Sequence, residues 1–230
     1  MIDRLLIKTF KDNIRWIDLT DILGTPAGII IRNDHLLEND LQKKIVDISN
    51  SQSSTIKIYR PIQKHTNRIV ASTENLDIPA DGIYSQSPNH LLVIRTADCI
   101  PLFIYDGRTA AVLHLGWRGI IGGIVANIKR TISQFNCADA KAVIGPGIGR
   151  CCFEVSPEVA LIFDSEYRIF NDRKYYIDLE TMVIDEMKKQ GFRQIHSLNA
   201  CTFCESDLFY SYRREGEDVR HLLSFIRAGG

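Results

Sequence analysis

The chain has 230 residues, 28 basic and 28 acidic side chains and so no net charge, with 45% hydrophobic and 24% charged residues. That balance belongs to a folded globular chain and excludes a disordered one; it also lacks the basic surplus of a nucleic-acid binder. No composition break divides it, so a single domain over 1–230 is expected. Asp3, Arg4, Lys8 and Lys11 interrupt the opening segment before an apolar run reaches signal-peptide length. No stretch approaches the ~20 apolar residues that span a bilayer. The expectation is a cytoplasmic protein without a membrane partner, its six cysteines reduced.

In chain order, the first β-branched run is Gly28-Ile-Ile-Ile-Arg32. Residues 38–54 are largely polar, and Asn50-Ser-Gln-Ser-Ser54 reads as an exposed loop. Further strands are predicted over 55–59, 91–95, 101–105 and 110–114. Ile121, Val125, Ile128 and Ile132 recur at i, i+4, i+7 and i+11, which predicts a helix over roughly 118–134. A strand at 141–144 follows, then a helix start where Ser156 caps and Pro157 takes the first helical position. Residues 179–190 read as a helix stopped by Gly191, and 222–227 as a last strand. Several strands precede the first strong helix, so strict βα alternation fails. The predicted class is α+β, a mixed α/β sandwich with hairpins, not a doubly wound sheet.

Reactive side chains gather beside turn and strand-end signals in three places: Gln63-Lys-His-Thr-Asn67, Thr96-Ala-Asp-Cys-Ile-Pro101 and His114-Leu-Gly-Trp-Arg-Gly119. The last opens a helix after a strand, where backbone N–H groups and the Arg118 fork suit an anion. Taken singly, His114 reads more often as a structural residue, Trp117 as core and Cys99 as a small buried hydrophobe. Together, His65, Cys99 and His114 form a plausible catalytic zinc set of three ligands with a fourth position open. Their separations resemble no compact zinc-finger spacing, so they must converge through the fold. Cys201-Thr-Phe-Cys204 competes as a metal or redox motif. It lacks a good partner pair, because the side chains of adjacent Cys151 and Cys152 are expected to diverge, and a structural role is preferred for it.

Read in order, Gln63-x-His65, Ala80-Asp-Gly82, Thr96-Ala-Asp-Cys-Ile-Pro101 and His114-Leu-Gly-Trp-Arg-Gly119 resemble the YfiH-type family. Ile144-Gly-Pro-Gly-Ile-Gly149, Cys152-Phe-Glu-Val155, Asp178-Leu179, Cys201-Thr202 and Phe209-Tyr-Ser-Tyr-Arg-Arg214 continue the match to the C-terminal end. This family was once described as multicopper polyphenol oxidases or laccase-domain proteins and later assigned purine nucleoside phosphorylase activity. The resemblance implies zinc on His65, Cys99 and His114, in a sandwich related to bacterial toxins that use a Cys-His pair. It implies phosphorolysis of adenosine, inosine and methylthioadenosine, with adenosine deamination as a second activity; copper binding and phenol oxidation are reported family properties, and cell-wall precursor editing has been proposed for some members. The first sixty residues depart from the pattern, lacking the Gly-Gly-x-Ser and Asn-Leu elements, and Leu115 stands where alanine is usual.

For a nucleoside and phosphate as ligands, Gln63, Arg118 and Arg213 are the substrate-binding candidates, with the glycine-rich turn 145–149 as a further phosphate cradle. The catalytic candidates are Asp98, Cys99 and His114, with Asp98 moving protons during deamination. One thiolate and two neutral imidazoles leave zinc at a net charge of about +1, acidic enough to activate a water. Oxidase chemistry is disfavoured, since only His35, His90, His196 and His221 remain for a further copper cluster. The rivals are a hydrolase with Cys99 as nucleophile and His114 as base, and a binding module without turnover.

Overall fold

The computed structural model describes residues 6–35, 37–49, 56–133 and 135–228. The loop expected at 50–54 and residues 1–5 of the opening segment lie outside that set. Two six-stranded sheets dominate. The first runs β1 (Ile7–Thr9), β2 (Arg15–Asp18), β3 (Ala27–Ile30), β15 (Leu222–Arg227), β7 (His90–Thr96), β4 (Lys57–Tyr59). The second runs β14 (Gln194–Ser197), β10 (Lys141–Ile144), β8 (Ile100–Tyr105), β9 (Ala110–Leu115), β6 (Gly82–Ser85), β5 (Ile69–Ala71). A small antiparallel sheet joins β11 (Glu154–Val155), β13 (Lys174–Ile177) and β12 (Arg168–Asn171). The helices are α1 (Thr20–Leu23), α2 (Glu38–Ile48), α3 (Trp117–Ile121), α4 (Asn127–Thr131), α5 (Pro157–Ala160), α6 (Leu179–Lys189) and α7 (Tyr212–Glu215). The class is α+β with mixed sheets, as expected.

The period-two geometry of a strand explains the layering. Along β7, Leu92 and Ile94 enter a core shared with Phe103 and Val112 of the second sheet, whereas Leu91 and Val93 turn away to meet Ile45 and Ile48 of α2. Along β8 and β9, Phe103 and Val112 face the first sheet, while Leu102, Ile104 and Leu113 pack against Ile120, Ile128, Val183 and Met187 of α3, α4 and α6. The result is a helix, two sheets face to face, and a helical layer. Both sheets are covered on both sides, and for that reason these strands read as unbroken apolar runs.

Two expectations about helices are corrected. The polar stretch 38–54 contains α2; Leu41, Ile45 and Ile48 recur in its sequence at i, i+4 and i+7, a short stripe among polar neighbours, and Ile45 and Ile48, with Val46 in part, pack in the outer core of the first sheet. The helix expected over 118–134 breaks into α3 and α4. Gly123 adopts φ +81° between them, and the Asn67 amide donates to the Gly122 carbonyl at 2.6 Å, with Asn127 donating back to the Asn67 carbonyl. Ile121, counted in the predicted stripe, is exposed, whereas Ile120 and Ile124 are buried. The other two helix signals hold: Ser156 caps α5 through Val159 N–H, and Gly191 follows α6 with φ +96°.

Phe103 is wholly buried between the two sheets, opposite Val112 and Val143. Phe103→Ala is expected to lower unfolding free energy by about 3–5 kcal/mol, read as a shift in urea midpoint at unchanged slope.

Candidate active site

Strand register brings the chemistry together. β6 pairs with β9 so that Gly82 faces Leu113, and the residue before, Asp81, therefore stands beside His114. The His114 N–H donates to the Asp81 carbonyl at 2.6 Å. β8 pairs with β9 so that Ile100 faces Leu115, which sets Cys99 at the same end of the sheet. His65 arrives from the loop ahead of β5.

Asp81 is fully buried, and its carboxylate organises that loop. It accepts the backbone N–H groups of Lys64, His65 and Thr66, the Thr66 hydroxyl, and Nδ1–H of His114 at 2.7 Å. Three consecutive N–H groups turned onto one anion form a nest, and the turn holds His65 at φ +59°, in the left-handed region. Burial works to raise the Asp81 carboxyl, but the hydrogen bonds from His114 and Thr66 outweigh it and bring it down to about 2.

With Nδ1 of His114 committed to Asp81, Nε2 is its free ligating atom. Cys99 Sγ lies 3.6 Å from His65 Nε2, the two imidazoles meet edge to face at 5.0 Å, and one donor atom from each of the three residues lies within 4.8 Å of the others. A tetrahedral zinc, with bonds of ~2.3 Å to sulfur and ~2.0–2.1 Å to nitrogen, spaces such atoms ~3.5 Å apart. The donor set and spacing fit one ion, and the carboxylate behind His114 is the outer support that such ligands normally have. Burial works to raise the Cys99 thiol, but His114 and His65 overcome it and bring it down to about 7. Burial likewise works to lower His114, and Cys99 and Asp81 together lift it to about 9. Gly116 makes room for the group: a Cβ there would sit 2.3 Å from His65 Cδ2 and 3.2 Å from Cys99 Sγ.

The cluster opens into a cavity of about 540 Å³, within the usual range for small-molecule sites. Asp98, Arg118 and Arg213 line it, together with Phe153, Arg95 and His221, which have no role in the sequence reading. The Arg118 guanidinium stacks on Trp117 at 4.4 Å, that of Arg213 donates to the Glu154 carbonyl at 2.9 Å, and neither guanidinium has a carboxylate partner among the described residues. Arg95 does, pairing with Glu38 at the start of α2 at 3.2 Å. Gln63 also lines the cavity, but its amide closes two hydrogen bonds with the Arg95 backbone, at 2.7 and 2.9 Å. It thereby ties the His65 loop to β7. The Asp98 carboxylate accepts the Thr202 hydroxyl at 2.6 Å and the Arg213 N–H at 2.7 Å, latching α7 over the cavity edge.

The phosphate cradle expected at 145–149 is corrected. Its donors face inward: the N–H groups of Gly145, Gly147 and Ile148 go to the carbonyls of Pro101, Ala200 and Asp98, and that of Gly149 goes to Cys201 Sγ. Asp81 is the functional residue whose role sequence reasoning missed. Its signal in the sequence is a carboxylate just ahead of an apolar strand, within Ala80-Asp-Gly82.

Fold and site together define an α+β protein whose His/His/Cys cluster is consistent with a metal. The chain belongs to the family described as multi-copper polyphenol oxidoreductase laccase, which matches residues 39–228. It is 31% identical over 207 residues to the purine nucleoside phosphorylase YfiH of Escherichia coli, covering 84% of this chain and 81% of that one. It is 29% identical over 172 residues to the purine nucleoside phosphorylase of Aquifex aeolicus, covering 74% and 82%. The crystal structure of the hypothetical protein YfiH from Bacillus licheniformis superimposes with a TM-score of 0.81 at 24% identity, over 97% of this chain and 99% of that one. Among the described residues, no helix is long and apolar enough to cross a membrane.

Asp81→Asn keeps the shape but loses the charge that fixes the His114 tautomer and the nest. Zinc affinity, measured by competition with a chromogenic chelator, is expected to fall about 10–100-fold.

Proposed function

We propose that this chain is a metal-dependent purine nucleoside phosphorylase, with zinc on His65, Cys99 and His114. On this reading it acts in the cytoplasm on adenosine, inosine and methylthioadenosine, and deaminates adenosine as a side activity. The observation that carries the reading is a carboxylate-braced His/His/Cys cluster at the edge of a cavity lined by two arginines whose guanidinium groups have no carboxylate partner among the described residues. The names of the E. coli and A. aeolicus relatives support the reaction class.

When bound, zinc supplies Lewis acidity at the open side of the cluster. The remaining work falls to the chain. Arg118 and Arg213 hold phosphate against the ribose anomeric carbon. As the phosphate oxygen bonds to that carbon, the glycosidic C–N bond breaks and its electron pair passes to the purine. Phe153 and Trp117 supply apolar surface for the base, and the half-enclosed cavity limits competing water. For deamination, Asp98 is the proton-moving candidate; each of its oxygens accepts one hydrogen bond, from Thr202 and from the Arg213 N–H, and keeps a second lone pair.

The copper-oxidase reading finds no second histidine cluster. Among the described residues, only two groups of three or more potential ligands come together, and neither includes His35, His90, His196 or His221. A Cys-His hydrolase has a specific observation behind it. Asp81, His114 and Cys99 stand in series, with the thiol near 7 and the imidazole near 9, as in a nucleophile–base–orienter chain. His65 is what that alternative leaves without a task.

Incubation with adenosine and phosphate, followed by chromatography, is expected to yield adenine and ribose 1-phosphate, with a minor inosine product. Arg118→Ala is expected to raise KM for phosphate about tenfold or more with zinc content unchanged. Metal-free protein that turns over and forms a covalent adduct at Cys99 would establish the hydrolase instead.

A further inference from the structure

A second group of potential metal ligands lies apart from the His65, Cys99 and His114 cluster. Cys151, Cys152, Cys201 and Cys204 bring all four sulfurs within 4.8 Å of one another. The closest separations are 3.3 Å for Cys152–Cys204, 3.4 Å for Cys151–Cys152 and 3.7 Å for Cys151–Cys204. The sequence expectation that Cys151 and Cys152 diverge holds for a strand, where neighbours alternate faces. Here they sit in a turn instead, closed by the N–H groups of Cys152 and Phe153 on the Gly149 carbonyl, and both sulfurs converge. Cys201 and Cys204 are brought to one side by a second turn, in which Glu205 N–H reaches the Cys201 carbonyl.

We propose that these four cysteines hold a single zinc ion in a tetrahedral four-thiolate site. A zinc ion with Zn–S bonds of ~2.3 Å places its sulfurs ~3.8 Å apart, close to the spacing already present. An iron–sulfur cluster wraps its cysteines around several metal atoms and needs them farther apart. Soft thiolate donors in a tetrahedral set select zinc over harder cations, and each thiol gives up its proton on binding. The outer support is in place: Gly149 N–H donates to Cys201 Sγ at 3.2 Å, and a Cβ at Gly149 would crowd Cys151 and Cys201 Sγ at 3.3 and 3.4 Å. Cys151 and Cys204 are exposed, so an ion has a path of entry.

The role that follows is a clip. The site ties the turn 149–153 to the turn 201–205, two segments about fifty residues apart in sequence. Phe153, next to Cys152, lines the main cavity, and Thr202, next to Cys201, holds the Asp98 carboxylate. The ion therefore fixes one wall of the cavity without touching its contents.

The test uses Cys99→Ser protein, which removes the thiolate of the other cluster, so its outcome does not depend on the proposed function. Purified without added metal, this variant is expected to retain about one zinc per chain by elemental mass spectrometry. Adding Cys204→Ser is expected to reduce that zinc at least tenfold, while adding Cys137→Ser leaves it in place. Replacing the ion with cobalt(II) is expected to give the strong sulfur-to-metal charge-transfer absorption of a four-thiolate site. As a check that needs no cysteine variant, native protein is alkylated with and without chelator. Cys151 and Cys204, though exposed, are expected to react only after zinc is removed. A Cys99→Ser chain without zinc, a disulfide among the four cysteines, or free alkylation of zinc-loaded protein at Cys151 and Cys204 would each overturn the proposal.

Discussion

One buried carboxylate sets the geometry on which the candidate site depends. An ionised aspartate with no solvent exposure is costly unless every lone pair is engaged, and Asp81 meets that condition with three backbone N–H groups, a hydroxyl and an imidazole. Each of those donors belongs to a residue that must be placed: the N–H groups fix the loop that carries His65, and the imidazole is His114 itself. The left-handed backbone at His65 is strained for a residue with a Cβ, and the nest around Asp81 is what sustains it. A lost charge at 81 therefore acts on two ligands at once, although the residue touches neither the third nor the cavity.

The same economy of position recurs at the opposite wall. Asp98 also has positive φ, at 89°, and its carbonyl and carboxylate serve three different segments: Ile148 N–H, the Thr202 hydroxyl and the Arg213 N–H. The glycines at 145, 147 and 149 leave room for close neighbours, the Pro101 ring, the Ile100 side chain and the cysteine sulfurs in turn, and their N–H groups are not offered to an anion. A Cβ at Gly147 would lie 2.4 Å from Ile100 Cγ1. A glycine-rich turn beside a cavity thus has two opposite meanings, and only the destinations of its N–H groups separate them.

Much of the fold was legible because strands covered on both faces announce themselves as apolar runs, as Leu91-Leu-Val-Ile94 does. What escaped had physical reasons. The apolar stripe of α2 is short and set among polar residues, and the 118–134 periodicity could not reveal that Gly123 would turn left-handed. In the site, His65, Cys99 and His114 were found through their motifs, whereas the task of Asp81 depends on a cross-strand register that no local pattern encodes. Cys151 and Cys152 were set aside by a rule true of extended chain and false of a turn.

The family's description names a multi-copper oxidase, and the side chains present argue for different chemistry. Reducing dioxygen at several coppers needs many convergent histidines. Here Nδ1 of His90 is taken by the hydroxyls of Ser72 and Ser85, Nε2 of His35 lies 3.0 Å from the Asp12 carbonyl, His196 is exposed on the edge strand β14, and Nδ1 of His221 lies 3.9 Å from the Glu38 carboxylate. None of the four joins another ligand group among the described residues. The cluster that does form has one thiolate and two imidazoles, backed by a carboxylate and facing arginines that suit an anion. Such a set polarises and positions without any need for electron transfer, which supports the proposed transfer to phosphate over oxidation.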